Sequence, residues 1–293
     1  SPPVSLSVRV NMSKSGATVT DDRELRQKLG LETRDSLSEV FHENTKLGPL
    51  TARAYSTWIF NFTRSRTAQQ AMQQAYKVYS LMERRELPPV EARTELERTI
   101  TARRSVRTFS GAAIGLEELA RLLFFTYGKI DPGQIFRTVA SGGGLYPLEL
   151  YVVAFRVDGL EQGIYHYGVE TRHLDLVKPF ECLAAFKDVG SWQGVDIDQA
   201  SLAIVMTAAF RRTTSKYLDR GYRMVLMEAG EAAQNLCLMA TSMNLGACLI
   251  GGFHDDRLSD LLEIDGVHEA PLLPVIVGRP AAVGDRTDQG LRP

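Results

Sequence analysis

The feature that most constrains the fold is a ten-residue segment that is apolar nearly throughout. Residues 201–210 read SLAIVMTAAF and carry no charged side chain. An unbroken apolar run of this length is typical of a strand whose two faces are both buried. The sheet that contains it must be covered on both sides, which requires a large core. The chain has 293 residues, 44% of them hydrophobic, and can supply one.

Other segments predict helices and strands in irregular alternation. Apolar residues recur at helical spacing over residues 116–127, and Gly128 follows as a helix stop. Strands are predicted over residues 148–157 and 271–277, and one long helix over about 213–243. Because the helices flank the strands without a strict βαβ repeat, the sequence predicts an α+β fold with a central mixed sheet between helices.

The chain before Pro88 has a different pattern. Residues 1–20 are rich in Ser, Thr and Gly and predict a flexible tail. Helices are predicted over residues 22–28, 52–62, 67–83 and, after the helix-breaking Pro88-Pro89, 91–101. We therefore predict a tail and helical region over residues 1–87, available for partner or dimer contacts, and a larger unit over residues 88–293.

Composition excludes several classes of protein. Thirty-four basic and 35 acidic residues leave a net charge of −1, which argues against nucleic-acid binding. Three cysteines without CxxC spacing predict neither disulfides nor a zinc site, so we expect no metal and a reducing, cytoplasmic location. Residues 232–253 form the most apolar candidate for a membrane span, but they carry too many polar side chains, and no membrane segment is predicted.

The strongest chemical signal is a basic cluster. Three guanidinium groups and one hydroxyl fall within five residues, at Arg103, Arg104, Ser105 and Arg107. Arginine matches phosphate oxygens with paired hydrogen bonds, so the cluster suits a phosphate ester. Taken alone, the segment is equally compatible with a solvated basic surface.

A glycine-rich segment precedes the strand predicted at residue 148. It comprises Ser141, Gly142, Gly143, Gly144 and Leu145. Consecutive glycines let a ligand approach the backbone amides closely. The spacing fits neither the Rossmann nor the P-loop pattern, and a flexible hairpin is the alternative interpretation.

Lys216 and Tyr217 are candidates for proton transfer. A lysine close to a tyrosine favours the phenolate and makes it a usable base. Neighbouring side chains on a helix point about 100° apart, so both can reach one pocket only near the end of a helix. The alternative is a surface charge beside a buried ring. Four further polar residues, His42, His166, Glu228 and Glu231, are predicted to serve packing instead of catalysis.

Four segments in this order resemble one family. RRSVRTF, SGGGLYPLELYVV, EAAQNLCLMATSMNLGACLIGGF and PVIVGRP are similar to the FMN-dependent nitroreductase superfamily. The Lys216-Tyr217 pair and the segment FHENTKL at residues 41–47 resemble the SagB-type dehydrogenases, the thiazoline and oxazoline oxidases of peptide natural-product pathways. Tyr146-Pro147 stands where nitro-reducing relatives usually carry Asn and Gln-Pro, which favours the azoline-oxidising branch.

The resemblance implies FMN as cofactor and assigns residues to it. The implied contacts are Arg103, Arg104 and Ser105 on the phosphate and ribityl chain, Arg107 beside the pyrimidine side of the ring, Ser141 to Leu145 along the ribityl and ring, Ile250, Gly251 and Gly252 against the ring, and Arg279 on the phosphate. A cation at that edge of the ring favours hydride acceptance.

The resemblance also implies a reaction and partners. Tyr217, assisted by Lys216, would take a ring-carbon proton from a thiazoline or oxazoline, the flavin would accept the hydride, and O2 would reoxidise the flavin. The substrate would be a peptide, either a ribosomal precursor handed over by a cyclodehydratase or a chain on a carrier protein. A homodimer with FMN at the subunit boundary is implied. Two alternatives stay open: an NAD(P)H-dependent nitro or flavin reductase, and a non-catalytic module that binds peptide or carrier protein.

Overall fold

The computed structural model describes residues 36–282, apart from residues 74, 132, 191 and 193 and the side chain of residue 50. The tail predicted over residues 1–20 and the helix predicted over residues 22–28 lie outside this part of the chain. The division of the chain at residue 87 stays a prediction.

Helices and strands alternate irregularly, as predicted. The helices are α1 (Leu37–Thr45), α2 (Pro49–Arg64), α3 (Arg66–Gln73), α4 (Glu95–Ala102), α5 (Leu116–Tyr127), α6 (Cys182–Lys187), α7 (Arg211–Tyr217), α8 (Asp219–Ser242) and α9 (Asp255–Leu262). The strands are β1 (Ile114–Gly115), β2 (Leu148–Ala154), β3 (Val157–Asp158), β4 (Gly163–Gly168), β5 (His173–Pro179), β6 (Leu202–Ala209), β7 (Gly246–Leu249) and β8 (Glu269–Gly278).

One six-stranded sheet forms the centre of the fold. Its strand order is β5-β4-β2-β6-β8-β7, and the pairs between these strands are antiparallel. A parallel bridge from Ser105 to Ala247 at the β7 edge makes the sheet mixed. Strand β6 lies inside the sheet, and its residues from Leu202 to Ala208 are all buried. The prediction of a strand buried on both faces is therefore confirmed.

The sheet carries a hydrophobic core on each face. Ile204 of β6 points into a core that contains Leu122 of α5 and Leu236 of α8. The next residue, Val205, points into a second core, which includes Phe186 of α6 and Leu258 of α9. Because successive side chains of a strand alternate between its faces, only an unbroken apolar sequence can serve both cores.

Two helix predictions in the N-terminal half need correction. Helix α3 ends at Gln73, and the described residues from 75 to 83 are not helical, so the helix predicted over 67–83 is wrong beyond Gln73. This segment finds no core to pack against (Leu81 is 94% exposed), and a short helix without packing is only marginally stable. Helix α4 begins at Glu95 because Thr94 caps it. The Thr94 hydroxyl accepts from the Glu97 amide, and the Glu97 carboxylate accepts from the Thr94 amide.

The strand predicted over residues 148–157 divides into β2 and β3. The amides of Phe155 and Arg156 both donate to the carbonyl of Ser201, so one residue directly before β6 faces two. This irregularity ends the regular ladder, and β3 pairs with β1 instead.

The long helix predicted over residues 213–243 is broken into α7 and α8. Leu218 separates them with a φ of +51°, a conformation that cannot continue a right-handed helix. Gly221 makes the tight return possible, since a Cβ there would lie 3.0 Å from the backbone of Thr213 and Thr214. The break places Lys216 and Tyr217 in the last turn of α7.

The described residues contain no candidate membrane span and no candidate metal site, and the cysteines are buried. Among the residues that the structure describes, no helix is long and apolar enough to cross a bilayer. In the same part of the chain, no group of three or more His, Cys, Asp or Glu side chains is placed to hold a metal ion. Cys237 and Cys248 are buried, and burial raises the pKa of the Cys237 thiol to about 11.

Candidate active site

The glycine-rich segment forms a tight turn that leads into β2. Gly143 and Gly144 have φ values of +71° and +68°, which favour glycine. A Cβ on Gly143 would also lie 2.6 Å from the Tyr217 hydroxyl and 2.8 Å from Lys216 Nζ. Both polar side chains therefore lie directly against the backbone of this turn.

Lys216 and Tyr217 meet as the proton-transfer hypothesis requires. The Lys216 ammonium lies 5.1 Å from the centroid of the Tyr217 ring, within the range of a cation–π contact. Lys216 is exposed and Tyr217 is half-buried, so the pair borders solvent. A phenol and an ammonium group at one turn are both able to exchange a proton with a molecule that binds there. The catalytic role itself stays a prediction.

The glycine-rich turn is anchored to the protein interior by hydrogen bonds to a buried carboxylate, Glu228. Glu228 of α8 is 3% exposed and accepts hydrogen bonds from the hydroxyls of Ser141 and Tyr127, each at 2.6 Å. These hydroxyls in turn accept from the backbone amides of Tyr146 (2.9 Å) and Leu148 (3.1 Å). Glu228 is thus a packing residue between two helices and the turn, as predicted. The Ser141 hydroxyl, predicted to border the cofactor, is engaged inside the protein.

The electrostatics of this network keep its hydroxyls protonated. Burial raises the pKa of Tyr127, and the adjacent Glu228 carboxylate raises it further, so the phenol remains a donor. Burial also raises the pKa of Glu228, although the two hydroxyl hydrogen bonds and Arg137 oppose the rise. The Arg137 guanidinium contacts the rings of both Tyr127 and Tyr146, at 4.5 and 4.7 Å from their centroids. Arg137 was not among the predicted site residues, because no motif in the neighbouring sequence marks it.

The segment at residues 41–47 ties α1 to the starts of two other helices. His42 is buried, and its Nδ1 lies 3.2 Å from the hydroxyl of Tyr222 on α8. The Leu47 amide donates to Asp255 at the start of α9. Burial, helped by the nearby Lys46 cation, lowers the pKa of His42 and favours the neutral ring. Its surroundings agree with the predicted packing role.

The arginine cluster lies at the other end of α8. The amide of Val106, inside the cluster, donates to the Ala247 carbonyl on β7. Arg104, Ser105 and Arg107 line a cavity of about 450 Å³, and none of the described residues that line it is acidic. Arg104 and Arg107 are exposed there, and Arg103 is half-buried. Exposed guanidinium groups around a cavity without carboxylates suit an anion such as phosphate.

A second cavity adjoins the first through Arg107, which lines both. It measures about 320 Å³, and Ile250, Gly251 and Gly252 form one wall while α2 forms another. A Cβ on Gly251 or Gly252 would meet nothing within 4 Å, so this backbone faces open space. The two cavities thus offer guanidinium groups suited to a phosphate and, beside them, a backbone wall without side chains.

Arg279 is placed differently from the rest of the predicted cofactor contacts. Its guanidinium donates to Glu118 at 2.8 Å and to the Ala113 carbonyl at 3.1 Å. It is not among the described residues that line either cavity. A phosphate contact would cost Arg279 this ion pair, and no observation here supports that assignment.

The two halves of the predicted site lie apart within one chain. Glu228, beneath the glycine turn, and Thr241, in the wall of the basic cavity, are both on α8, and the rise of a helix puts them about 20 Å apart. Neither cavity has the turn, Lys216 or Tyr217 among the described residues that line it. The glycine turn and the arginine cluster therefore do not meet in a single copy.

Comparisons with known proteins agree on one family. Residues 100–279 match the Nitroreductase family. The chain is 39% identical over 199 residues to the nitroreductase homologue MJ1384 of Methanocaldococcus jannaschii, a match that spans 66% of this chain and 95% of that protein. It is 27% identical over 169 residues to the microcin B17-processing protein McbC of Escherichia coli, which spans 56% of this chain and 62% of McbC.

A solved structure shares the fold over more of the chain. It is a chain of the E. coli microcin synthetase McbBCD complex with truncated pro-MccB17 bound. The TM-score is 0.63 at 21% identity, and the overlap covers 85% of this chain and 99% of that one. The shared fold therefore extends beyond residues 100–279.

Proposed function

The chain belongs to the nitroreductase family, and on that premise we propose that it is an FMN-dependent dehydrogenase that oxidises thiazoline or oxazoline rings in a peptide to thiazoles or oxazoles. The observation that carries the proposal is the placement of Lys216 and Tyr217 together against Gly143. A nitro-reducing enzyme needs no base of this kind beside its substrate, whereas aromatising an azoline requires loss of a proton from carbon. The resemblance to McbC, a peptide-processing protein, points the same way.

Binding of FMN is assigned to the two joined cavities. Arg104 and Ser105, with Arg103 beside them, would hold the phosphate and ribityl chain in the basic cavity. Ile250, Gly251 and Gly252 would flank the ring, and Arg107, which lines both cavities, would lie near its edge. Bound FMN supplies the hydride acceptor. A guanidinium at the ring edge stabilises the negative charge that hydride transfer brings.

The protein's own contribution to the reaction is proton removal. Conversion of an azoline to an azole breaks two C–H bonds, one giving up a proton and the other a hydride. In this proposal the Tyr217 oxygen accepts the proton, and Lys216, whose ammonium lies 5.1 Å from the centroid of the Tyr217 ring, is the charged group beside it. Because Gly143 carries no side chain, both groups can lie directly against the backbone of the turn, where the substrate ring would meet them.

A second copy of the chain would complete the site. The outer face of α8 exposes Met227, Gly230 and Gln234, and a Cβ on Gly230 would meet nothing within 4 Å. Two copies of α8 packed antiparallel about a twofold axis would bring the glycine turn of one copy to the cavities of the other. This arrangement accounts for a turn and an arginine cluster that lie about 20 Å apart in one chain.

The substrate we propose is an azoline-bearing peptide made from a ribosomal precursor. The shared fold with a chain of a synthetase complex that holds a pro-peptide supports a peptide substrate delivered by a partner that forms the azoline. A peptide tethered to a carrier protein would present the same azoline ring. Assays that supply the free peptide and the carrier-bound peptide separately would show which of the two the protein oxidises.

Mass spectrometry of an azoline-containing peptide incubated with the FMN-loaded protein tests the function. The expected product has lost two hydrogens per ring. An unchanged peptide, under conditions in which the protein rapidly oxidises NADPH with a nitroarene, would instead establish a nitroreductase. The match to MJ1384 makes that reductase the second candidate.

A further inference from the structure

Helix α7 has little that holds it in place by itself. It spans the seven residues Arg211–Tyr217, and four of these, including Lys216, are exposed. A helix of two turns is not stable alone, so tertiary contacts must fix it. Buried Thr213 provides one such contact on the side of α8. The position of Lys216 and Tyr217 depends on what else anchors this helix.

Arg212 anchors α7 to the turn and to the sheet at once. One guanidinium nitrogen donates to the Tyr146 carbonyl at 3.2 Å, just after the glycine-rich segment. Another pairs with a carboxylate oxygen of Glu149 on β2 at 2.5 Å. The planar guanidinium can bridge two partners in this way, which an ammonium group cannot do with the same geometry. Lys216 follows Arg212 by one helical turn and lies on the same face of α7.

Glu149 is held in turn from the opposite side. Its second carboxylate oxygen lies 3.0 Å from Nε2 of His166 on β4. Burial works to raise the pKa of Glu149, but the His166 hydrogen bond and the Arg212 charge outweigh it and lower the pKa. Both oxygens of a largely buried carboxylate are therefore engaged, one by α7 and one by β4.

His166 is surrounded by groups that favour its protonated form. The hydrogen bond to Glu149 raises its pKa against the effect of burial, and Glu269 of β8 and Asp175 of β5 add to the rise. The Asp175 carboxylate lies 4.0 Å from the other ring nitrogen. A protonated His166 donates to Glu149 and leaves that carboxylate oriented toward Arg212.

We infer that Arg212 and Glu149, supported by His166, are positioning residues that hold α7 so that Lys216 and Tyr217 stay against the glycine turn. The inference rests on the proposed function, because it gives the catalytic pair its support. None of the three residues touches the reacting ring in this arrangement; they act through α7.

The test compares Glu149→Gln with Glu170→Gln in the FMN-loaded protein. Glu170 makes an exposed ion pair with Lys129 and is the matched control. For Glu149→Gln we expect kcat for azole formation to fall on the order of tenfold at unchanged KM and unchanged FMN absorbance. We also expect faster hydrogen exchange of the backbone amides over residues 211–218. Glu170→Gln should leave kcat and exchange as in the wild type.

A second pair of variants, Arg212→Met and Arg212→Lys, guards against simple misfolding. Arg212→Met should reproduce the effects of Glu149→Gln with native circular dichroism, and Arg212→Lys should restore part of kcat, since it keeps the charge but bridges only one partner. Unchanged hydrogen exchange over residues 211–218 in both Glu149→Gln and Arg212→Met overturns the inference. A wild-type protein that leaves azolines untouched overturns the proposed function instead, while the exchange data still decide whether these residues hold α7.

Discussion

At the scale of single residues, the absence of a side chain at position 143 determines what can lie at the candidate site. Gly143 combines a positive φ with contact distances to Tyr217 and Lys216 that leave no room for a Cβ. Both requirements apply to this residue, whereas Gly159 shares only the first: its φ is +81°, and a Cβ there meets nothing within 4 Å. Comparing variants at these two glycines therefore separates the effect of backbone strain from the effect of displacing Lys216 and Tyr217.

Gly143→Ala is expected to abolish azole formation, because the new methyl group displaces the Tyr217 hydroxyl and Lys216 ammonium. Gly159→Ala should remain active. Each substitution places alanine at positive φ and should lower the free energy of unfolding by about 1–2 kcal/mol. Thermal unfolding and the peptide assay measure the two effects. Full activity in Gly143→Ala would contradict the placement of the pair at this turn.

Tyr217→Phe and Lys216→Ala test the proton-transfer assignment directly. Both variants should keep the yellow absorbance of bound FMN, since neither residue lines the proposed cofactor cavities. Loss of the base should lower kcat by about 10² or more in Tyr217→Phe. Lys216→Ala should also lower kcat, because the ammonium group beside the Tyr217 ring is lost. A fully active double variant would refute the assignment.

At the scale of elements, the break between α7 and α8 is the feature that builds the site. Helical periodicity continues across residues 213–243, and no proline marks the interruption. The break depends on Leu218 at positive φ and on the close return past Gly221, both of which arise from packing between the two helices. The periodicity predicts helical residues on both sides of Leu218 but assigns them to one helix, because periodicity alone does not report a turn made by a leucine.

The contact of α7, β2 and β4 through Glu149 and His166 gives stability a pH dependence. Because folding lowers the pKa of Glu149, its carboxylate contributes stability above pH 4.5, the ordinary pKa of a glutamate. This contribution is lost as pH falls through the lowered pKa. Because folding raises the pKa of His166, its protonated ring contributes its full stability below pH 6.5, the ordinary pKa of a histidine. This contribution is lost as pH rises through the raised pKa. The contribution of the pair is therefore greatest between these limits.

His166→Gln should keep a hydrogen-bond donor toward Glu149 but remove the charge. In urea unfolding from about pH 5.5 to 8.5, the free energy of unfolding of the wild type relative to that of the variant should fall as pH rises. Since other groups titrate equally in both proteins, the difference between the two curves isolates His166. Parallel curves would show that its protonation is not coupled to folding.

At the scale of the whole molecule, the separation of the arginine cluster from the glycine turn is the main consequence of the fold. Helix α8 has 24 residues and holds the turn near one end and the basic cavity near the other. Its exposed face, where Met227 is 61% exposed, lacks the cover that an apolar side chain of this size usually has. Both facts favour a dimer that is part of the site.

Mixed dimers test this arrangement. Tyr217→Phe and the double variant Arg104→Ala with Arg107→Ala should each be inactive alone. If the two halves of a site come from different copies, a mixed dimer contains one intact site, and random mixing should restore about 25% of wild-type activity. Differently tagged chains, coexpressed and purified through both tags, provide the mixed dimer. An isolated mixed dimer without activity would place each site within a single chain.

The sequence by itself determined the central strand, the α+β class and the identity of the chemical motifs. These are local properties: the apolar run at residues 201–210 requires two cores, and the spacing over residues 116–127 requires one buried helix face. The motifs also carried the resemblance to the nitroreductase family, which the match over residues 100–279 confirmed.

Only the tertiary structure decided which of these residues meet. Gly143 and Tyr217 are far apart in the chain and touch, whereas the glycine turn and the arginine cluster share a predicted role and lie at opposite ends of α8. Arg212, Glu149 and His166 come together from one helix and two strands, and no spacing along the chain relates them. The reason is physical: periodicity reports the forces on neighbouring residues, while contacts between distant ones depend on how whole elements pack, on a broken helix and on the length of α8.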